Sequence, residues 1–110
     1  MSEPAVFSQI RQTIGAHDVV LFMKGVADQP QCGFSSLVVQ VLDHLGVPFH
    51  DVNVLADQDL REGIKACSDW PTIPQLYIKG EFIGGSDIVK ELFQSGELKT
   101  LLADQGLLPA

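Results

Sequence analysis

The chain has 110 residues, of which 45% are hydrophobic, and its 14 acidic against 7 basic residues give a net charge of −7. That length and apolar content suit one domain over residues 1–110, able to bury roughly 65% of its unfolded surface without disulfide staples. The acidic balance and the lack of a Lys/Arg run argue against nucleic acid as a partner, and no apolar run of spanning length argues for a membrane.

In chain order, residues 4–14 place Val6, Phe7, Ile10 and Ile14 at helical spacing, with a stop at Gly15. Residues 19–23 form a short continuous apolar run, as in a strand buried on both faces. A loop over residues 25–31 holds Pro30. From residue 33 to 45, Leu37, Val38, Val41, Leu42 and Leu45 mark a second helix ending at Gly46 and Pro48.

Residues 49–54 read as another strand, and Asp57 as the N-cap of a helix whose buried face is Leu60, Ile64 and Cys67. The prolines in Trp70-Pro71-Thr72-Ile73-Pro74 force extended geometry on their predecessors. Residues 75–78 and 81–83 then form a hairpin turning at Lys79-Gly80. Gly84-Gly85-Ser86-Asp87 leads into a helical region over residues 88–93, with a further turn after Gly96. The order α-β-α-β-α-β-β-α gives an α/β chain. Its early βαβ unit makes a parallel pair, its hairpin adds antiparallel strands, and a mixed four-stranded sheet with helices on both faces follows.

Chemistry concentrates at Cys32-Gly33-Phe34-Ser35. Cys32 falls at the start of the second helix, where free N–H groups and the helix dipole favour a thiolate. Lys24, at the end of the first strand, adds a cation beside the same loop. Gly33 admits a close ligand, and Ser35 either hydrogen-bonds the sulfur or caps the helix. Serine at position 35 means Cys32 cannot close a disulfide within its own motif. A lone activated thiolate can still attack a disulfide, hold a mixed disulfide or ligate a soft metal.

Taken in order, Lys24, the Cys32–Ser35 motif, Trp70-Pro71-Thr72-Ile73-Pro74 and Gly84-Gly85-Ser86-Asp87 resemble a monothiol glutaredoxin of the CGFS type, over about residues 4–104. The resemblance implies a thioredoxin fold, glutathione as ligand, and a [2Fe-2S] cluster shared by two protomers, with Cys32 as both reactive residue and metal ligand. Four thiolates are then met by two Cys32 sulfurs and two glutathiones. It further implies that Lys24, Arg61 and Lys65 meet the glycine carboxylate of glutathione. Thr72, Ile73 and Pro74, the last in cis, would hold its cysteine backbone, and Gly85, Ser86 and Asp87 its γ-glutamyl end. Phe34 either covers the cluster or presents a contact patch. A BolA-like protein and apo iron-sulfur proteins are the implied partners.

Two departures stand out. Ser86 occupies a position where many such proteins carry cysteine. The second thiol is Cys67, read as a buried, inert residue, with a resolving role as the sharper alternative. His17, His44 and His50 show no ligand spacing with either cysteine and read as surface or strand-edge residues. Trp70 is expected to pack the loop. Two cysteines in a short chain without a visible signal peptide point to a reducing, cytoplasmic setting, an organellar matrix after presequence removal being the alternative. Two functions follow: a cluster-binding module, preferred, and a glutathione-dependent disulfide oxidoreductase with at most weak activity.

Overall fold

The first apolar run, Val19–Met23, is buried at all five positions because it lies in the middle of a sheet covered on both sides. The computed structural model describes residues 4–108. Its elements are α1 (Ala5–Ala16), β1 (Val19–Met23), the short strands β2 (Gly25–Val26) and β3 (Gln29–Pro30), α2 (Gly33–Leu45) and β4 (His50–Asn53). After a 3-10 turn (Val54–Ala56) come α3 (Gln58–Ser68), β5 (Gln75–Ile78), β6 (Glu81–Gly84), α4 (Ser86–Ser95) and α5 (Glu97–Asp104). The main sheet has the order β4-β1-β5-β6. β1 runs parallel to β4 and antiparallel to β5, and β5 and β6 are an antiparallel hairpin.

Alternation along β1 divides the core in two. Val19, Leu21 and Met23 pack with Val38 and Leu42 of α2, Val89 of α4, and Leu98 and Leu102 of α5. Val20 and Phe22 face the other way, against Ile10 of α1, Leu60 and Ile64 of α3, and Tyr77. The expected mixed four-stranded sheet with helices on both faces is therefore the observed architecture.

Several boundaries differ from expectation. α1 continues through Gly15 to Ala16, since a glycine weakens a helix by about 1 kcal/mol without ending it; His17, in extended conformation, ends it. The expected loop over residues 25–31 contains the β2–β3 hairpin, paired Gly25 to Pro30 and Val26 to Gln29. β4 covers only His50–Asn53 because the Asn53 carboxamide accepts the Leu55 N–H at 2.9 Å and bends the chain into the 3-10 turn. α4 starts at Ser86 rather than Ile88, and the turn after Gly96 is a full helix, α5.

Other terminators fall where the residues put them. Asp57 caps α3 through Oδ1, which accepts from the Asp59 and Leu60 N–H groups at 3.0 and 3.3 Å. Gly46 ends α2 at φ 71. Gly63 is a matter of packing: a Cβ there would lie 2.6 Å from Val6 Cγ1, so α1 and α3 approach too closely for any side chain. Gly63→Ala is therefore expected to destabilise the fold by about 1–2 kcal/mol through overpacking, outweighing the gain of roughly 0.5–1 kcal/mol in helix propensity. Urea unfolding measures the difference.

Candidate functional site

The site grows from the point where β1 ends and α2 begins. Cys32 is the N-cap residue of α2, extended at φ −150 and ψ 136, and half-buried. Its carbonyl accepts the Ser36 N–H at 2.9 Å, which leaves the side chain at the mouth of the first turn. There the thiol is held below its ordinary range. The backbone N–H of Ser35 is the largest cause, partial burial opposes it, and the Phe34 N–H, the Lys24 charge and the Ser35 hydroxyl add to it.

Ser35 bonds the sulfur and does not cap the helix, and it has a further role. It is fully buried, and its Oγ accepts the Lys24 N–H at 3.1 Å. The hydroxyl thus couples the end of β1 to the first turn of α2. Lys24 is pinned from the other side as well, its carbonyl accepting the Gln31 N–H at 2.9 Å.

A cavity of about 310 Å³ opens beside the sulfur, lined by Lys24, Cys32, Phe34, Lys65, Pro71, Thr72 and Ile73. Two ammonium-bearing side chains thus share a recess with a thiol inclined to ionise. Lys65 comes from α3, where it lies 4.0 Å from Glu62, a separation at which the pair restrains it little. Phe34 stands on the rim, 61% exposed.

The wall formed by residues 70–74 is held from below. Gln75 is fully buried in an otherwise apolar strand, and its Nε2 donates to the carbonyls of Trp70 and Thr72 at 3.2 and 3.1 Å. Its Oε1 accepts the Tyr77 hydroxyl at 3.2 Å. Burial pushes the Tyr77 pKa up to about 12, so that hydroxyl stays a donor. The Ile73–Pro74 peptide is cis, as expected. Trp70 packs against Phe82, ring centroids 5.7 Å apart, with 37% of its surface exposed.

Of the expected site residues, Lys24, Cys32, Phe34, Lys65, Thr72 and Ile73 meet in the cavity. Gly33, Arg61, Pro74, Gly85, Ser86 and Asp87 do not line it. A Cβ at Gly33 would meet nothing within 4 Å, so the glycine leaves the helix mouth open. Arg61 is half-buried one turn before Lys65. A Cβ at Gly85 would come within 3.3 Å of the Pro74 carbonyl and of Trp70 Nε1, so the start of α4 lies against the 70–74 loop. The N-cap of α4 is Gly85, and no side chain caps it.

Sequence reasoning passed over Gln75, although a glutamine among apolar strand neighbours was a signal. It also passed over Asp51 and Asn53, which hold the residues after Lys24. Cys67 is half-buried rather than buried, on the expected face of α3, packed against the Ile64 cluster. Both cysteines are free thiols. His17, His44 and His50 are exposed as expected, His17 and His50 with their rings stacked at 3.9 Å. No helix among the described residues is long and apolar enough to cross a membrane.

A family model described as Glutaredoxin matches residues 19–83. An uncharacterized monothiol glutaredoxin ycf64-like protein of Synechocystis is 54% identical over 99 residues, which cover 90% of this chain and 92% of that protein. The probable monothiol glutaredoxin 2 of Rickettsia typhi is 58% identical over 96 residues, 87% of this chain and 86% of its own. A monomeric truncated mutant of 1-C-Grx1 from Trypanosoma brucei has a similar structure, with a TM-score of 0.85 at 44% identity and 96% coverage of both chains.

Because the Cys32 thiol ionises more readily in the folded protein, its thiolate adds stability that is fully present above the unfolded pKa, about 8.5. That stability is lost as pH falls through the lower folded pKa. In a Cys67→Ser background, the rate of alkylation by iodoacetamide should titrate with a midpoint below that of a free cysteine, and Ser35→Ala should move the midpoint upward. A Cys32→Ser protein should lack this part of the pH dependence in urea unfolding.

Proposed function

The chain belongs to the glutaredoxin family as a monothiol member, and on that footing we propose that it binds glutathione at Cys32 and, as a pair of protomers, holds a glutathione-ligated [2Fe-2S] cluster. The observation that carries the proposal is the single ionisable sulfur at the mouth of α2, in one recess with Lys24 and Lys65.

Glutathione is a tripeptide with two carboxylates, one ammonium and one thiol. Lys24 and Lys65 supply charge for its glycine carboxylate, and Arg61 adds to the field from the flank. Thr72, Ile73 and Pro74 offer extended backbone against which the central cysteine can lie as an added strand. Beyond them the uncapped start of α4 offers the N–H groups of Ser86 and Asp87 to the γ-glutamyl carboxylate, with the Asp87 side chain for the ammonium. Gly85 keeps that helix end close to Pro74.

The donor set suits such a cluster only when protomers combine. Among the described residues no group of three or more His, Cys, Asp or Glu side chains could hold a metal. Cys32 gives one thiolate per chain, so two chains with two glutathiones reach the four that such clusters require. When bound, the cluster supplies an iron-sulfur unit that can be passed to apo-proteins. Cys32 contributes a thiolate whose charge the Ser35 and Phe34 N–H groups stabilise. The open face at Gly33 and the exposed Phe34 ring leave room for the second protomer or for a BolA-like partner.

The lowered Cys32 pKa also favours a second reading, deglutathionylation. The Cys32 thiolate attacks the glutathione sulfur of a protein–glutathione disulfide, forming a Cys32–glutathione disulfide and releasing the protein thiolate. The thiolate of a second glutathione then attacks that disulfide, leaves as glutathione disulfide and regenerates the Cys32 thiolate. This cycle needs no second protein cysteine.

Anaerobic reconstitution with iron, sulfide and glutathione should give a brown dimeric protein with visible absorption. Cys32→Ser should stay colourless and Cys67→Ser should colour normally. A colourless, monomeric unaltered protein would remove the cluster reading, and glutathione-coupled disulfide turnover under those conditions would favour the second.

A further inference from the structure

Lys24 reaches the cavity from a segment that two polar side chains of the edge strand β4 tie down. Asn53 pairs with Met23 in the parallel register of β4 and β1, which sets its side chain next to the residues that follow Met23. Its single carboxamide oxygen accepts two backbone N–H groups, from Gly25 at 3.0 Å and from Leu55 at 2.9 Å. Two residues earlier, Asp51 Oδ2 accepts the Ala27 N–H at 2.8 Å. With the Ser35 hydroxyl on the Lys24 N–H and the Gln31 N–H on its carbonyl, these contacts fix both ends of the segment.

We propose that Asn53 and Asp51 are positioning residues for the ligand site: they touch neither the sulfur nor the cavity, and act by holding the Lys24 side chain where an anionic ligand meets it. The inference rests on the reading of the cavity as a glutathione site. Gly25 follows Lys24 directly, and its N–H belongs to the Lys24–Gly25 peptide unit. The Asn53 oxygen, with the Gln31 N–H on the Lys24 carbonyl, therefore fixes the orientation of the peptide plane that adjoins the Cα bearing the Lys24 side chain. Without that acceptor, the N–H turns to find water, and Lys24 turns with it. The same oxygen starts the 3-10 turn that leads to the α3 cap at Asp57, so one atom ties the Lys24 segment to the helix that carries Lys65.

Asp51 gives a test in which charge and geometry pull in opposite directions. Removing a carboxylate near an anion site should by Coulomb's law alone tighten binding. Weaker binding on removing it therefore reports lost geometry.

The experiment is calorimetric titration of the reduced protein with glutathione, on the unaltered chain and on Lys24→Ala, Asn53→Ala, their double variant, Asp51→Ala and Asp51→Asn, each checked for a cooperative unfolding transition. Asn53→Ala should weaken glutathione about fivefold, the scale of one or two hydrogen bonds. In the double variant it should add little to Lys24→Ala, as expected of residues acting through one another. Asp51→Ala should also weaken binding, whereas Asp51→Asn, which keeps an acceptor oxygen, should bind at least as tightly as the unaltered chain. A folded Asn53→Ala protein with unchanged affinity, or an effect fully additive with Lys24→Ala, overturns the proposal. Should Asn53→Ala fail to fold, equal affinities of Asp51→Ala and Asp51→Asn overturn it instead. If the unaltered chain takes up no glutathione, the proposed function itself falls, a result distinct from all of these.

Discussion

The Ser35 hydroxyl is the contact on which the site depends. It sits in the first turn of α2, fully buried, and accepts the N–H of Lys24 at the end of β1. Strand and helix are joined there by one short polar side chain, and the only thiol at the helix mouth is stabilised within the same turn. A hydroxyl is a good acceptor in little space, whereas a thiol is a weak one. Serine at this position therefore secures the backbone around Cys32 and, at the same time, leaves it without a disulfide partner in its motif. Both properties suit the glutathione and cluster chemistry proposed for this sulfur.

Charge at the site runs against the charge of the molecule. The chain carries −7 overall, yet three of its seven basic residues, Lys24, Arg61 and Lys65, belong to the cavity or its flank. Beyond a screening length of about 8 Å at physiological salt the repulsion between the acidic surface and the proposed anionic tripeptide is largely screened. Recognition on the proposed reading then rests on short-range contact inside the recess. On the proposed reading, the direction of one lysine then matters more than the number of cations, and long-range steering contributes little to capture.

The fold was legible from the continuous apolar run of β1 and the three helices predicted from apolar spacing, because those patterns record which faces are buried. Val20 and Phe22 facing one helical layer, Leu21 and Met23 the other, is the arrangement a continuous apolar strand predicts. The boundaries were less legible where side chains bond to backbone. Asn53 cuts β4 short, the 25–31 segment folds back as a hairpin, and α4 begins at Ser86, two residues before the expected helix, with Gly85 as its N-cap. In the site, the motif residues Cys32, Lys24 and Thr72–Ile73 could be read from chain order. The residues that hold them could not, because Asn53 lies 29 positions from Lys24 and earns its place only through a sheet register that no local pattern reveals.

The two walls of the cavity are built on one plan. On one side, β4 sends Asp51 and Asn53 to the backbone of the segment after Lys24. On the other, β5 sends Gln75 to the carbonyls of Trp70 and Thr72, with Tyr77 completing its valences. In each case a strand of the rigid sheet contributes a carboxamide that satisfies loop backbone which could not otherwise be buried. Leaving such a group unpaired costs about 1–3 kcal/mol, so each loop has one low-energy arrangement rather than several. The recess that results is a fixed gap between two pinned loops, with the thiol in its lining. Exchange of ligands there needs no opening of the fold, which suits a protein whose proposed cargo and ligand are both meant to leave.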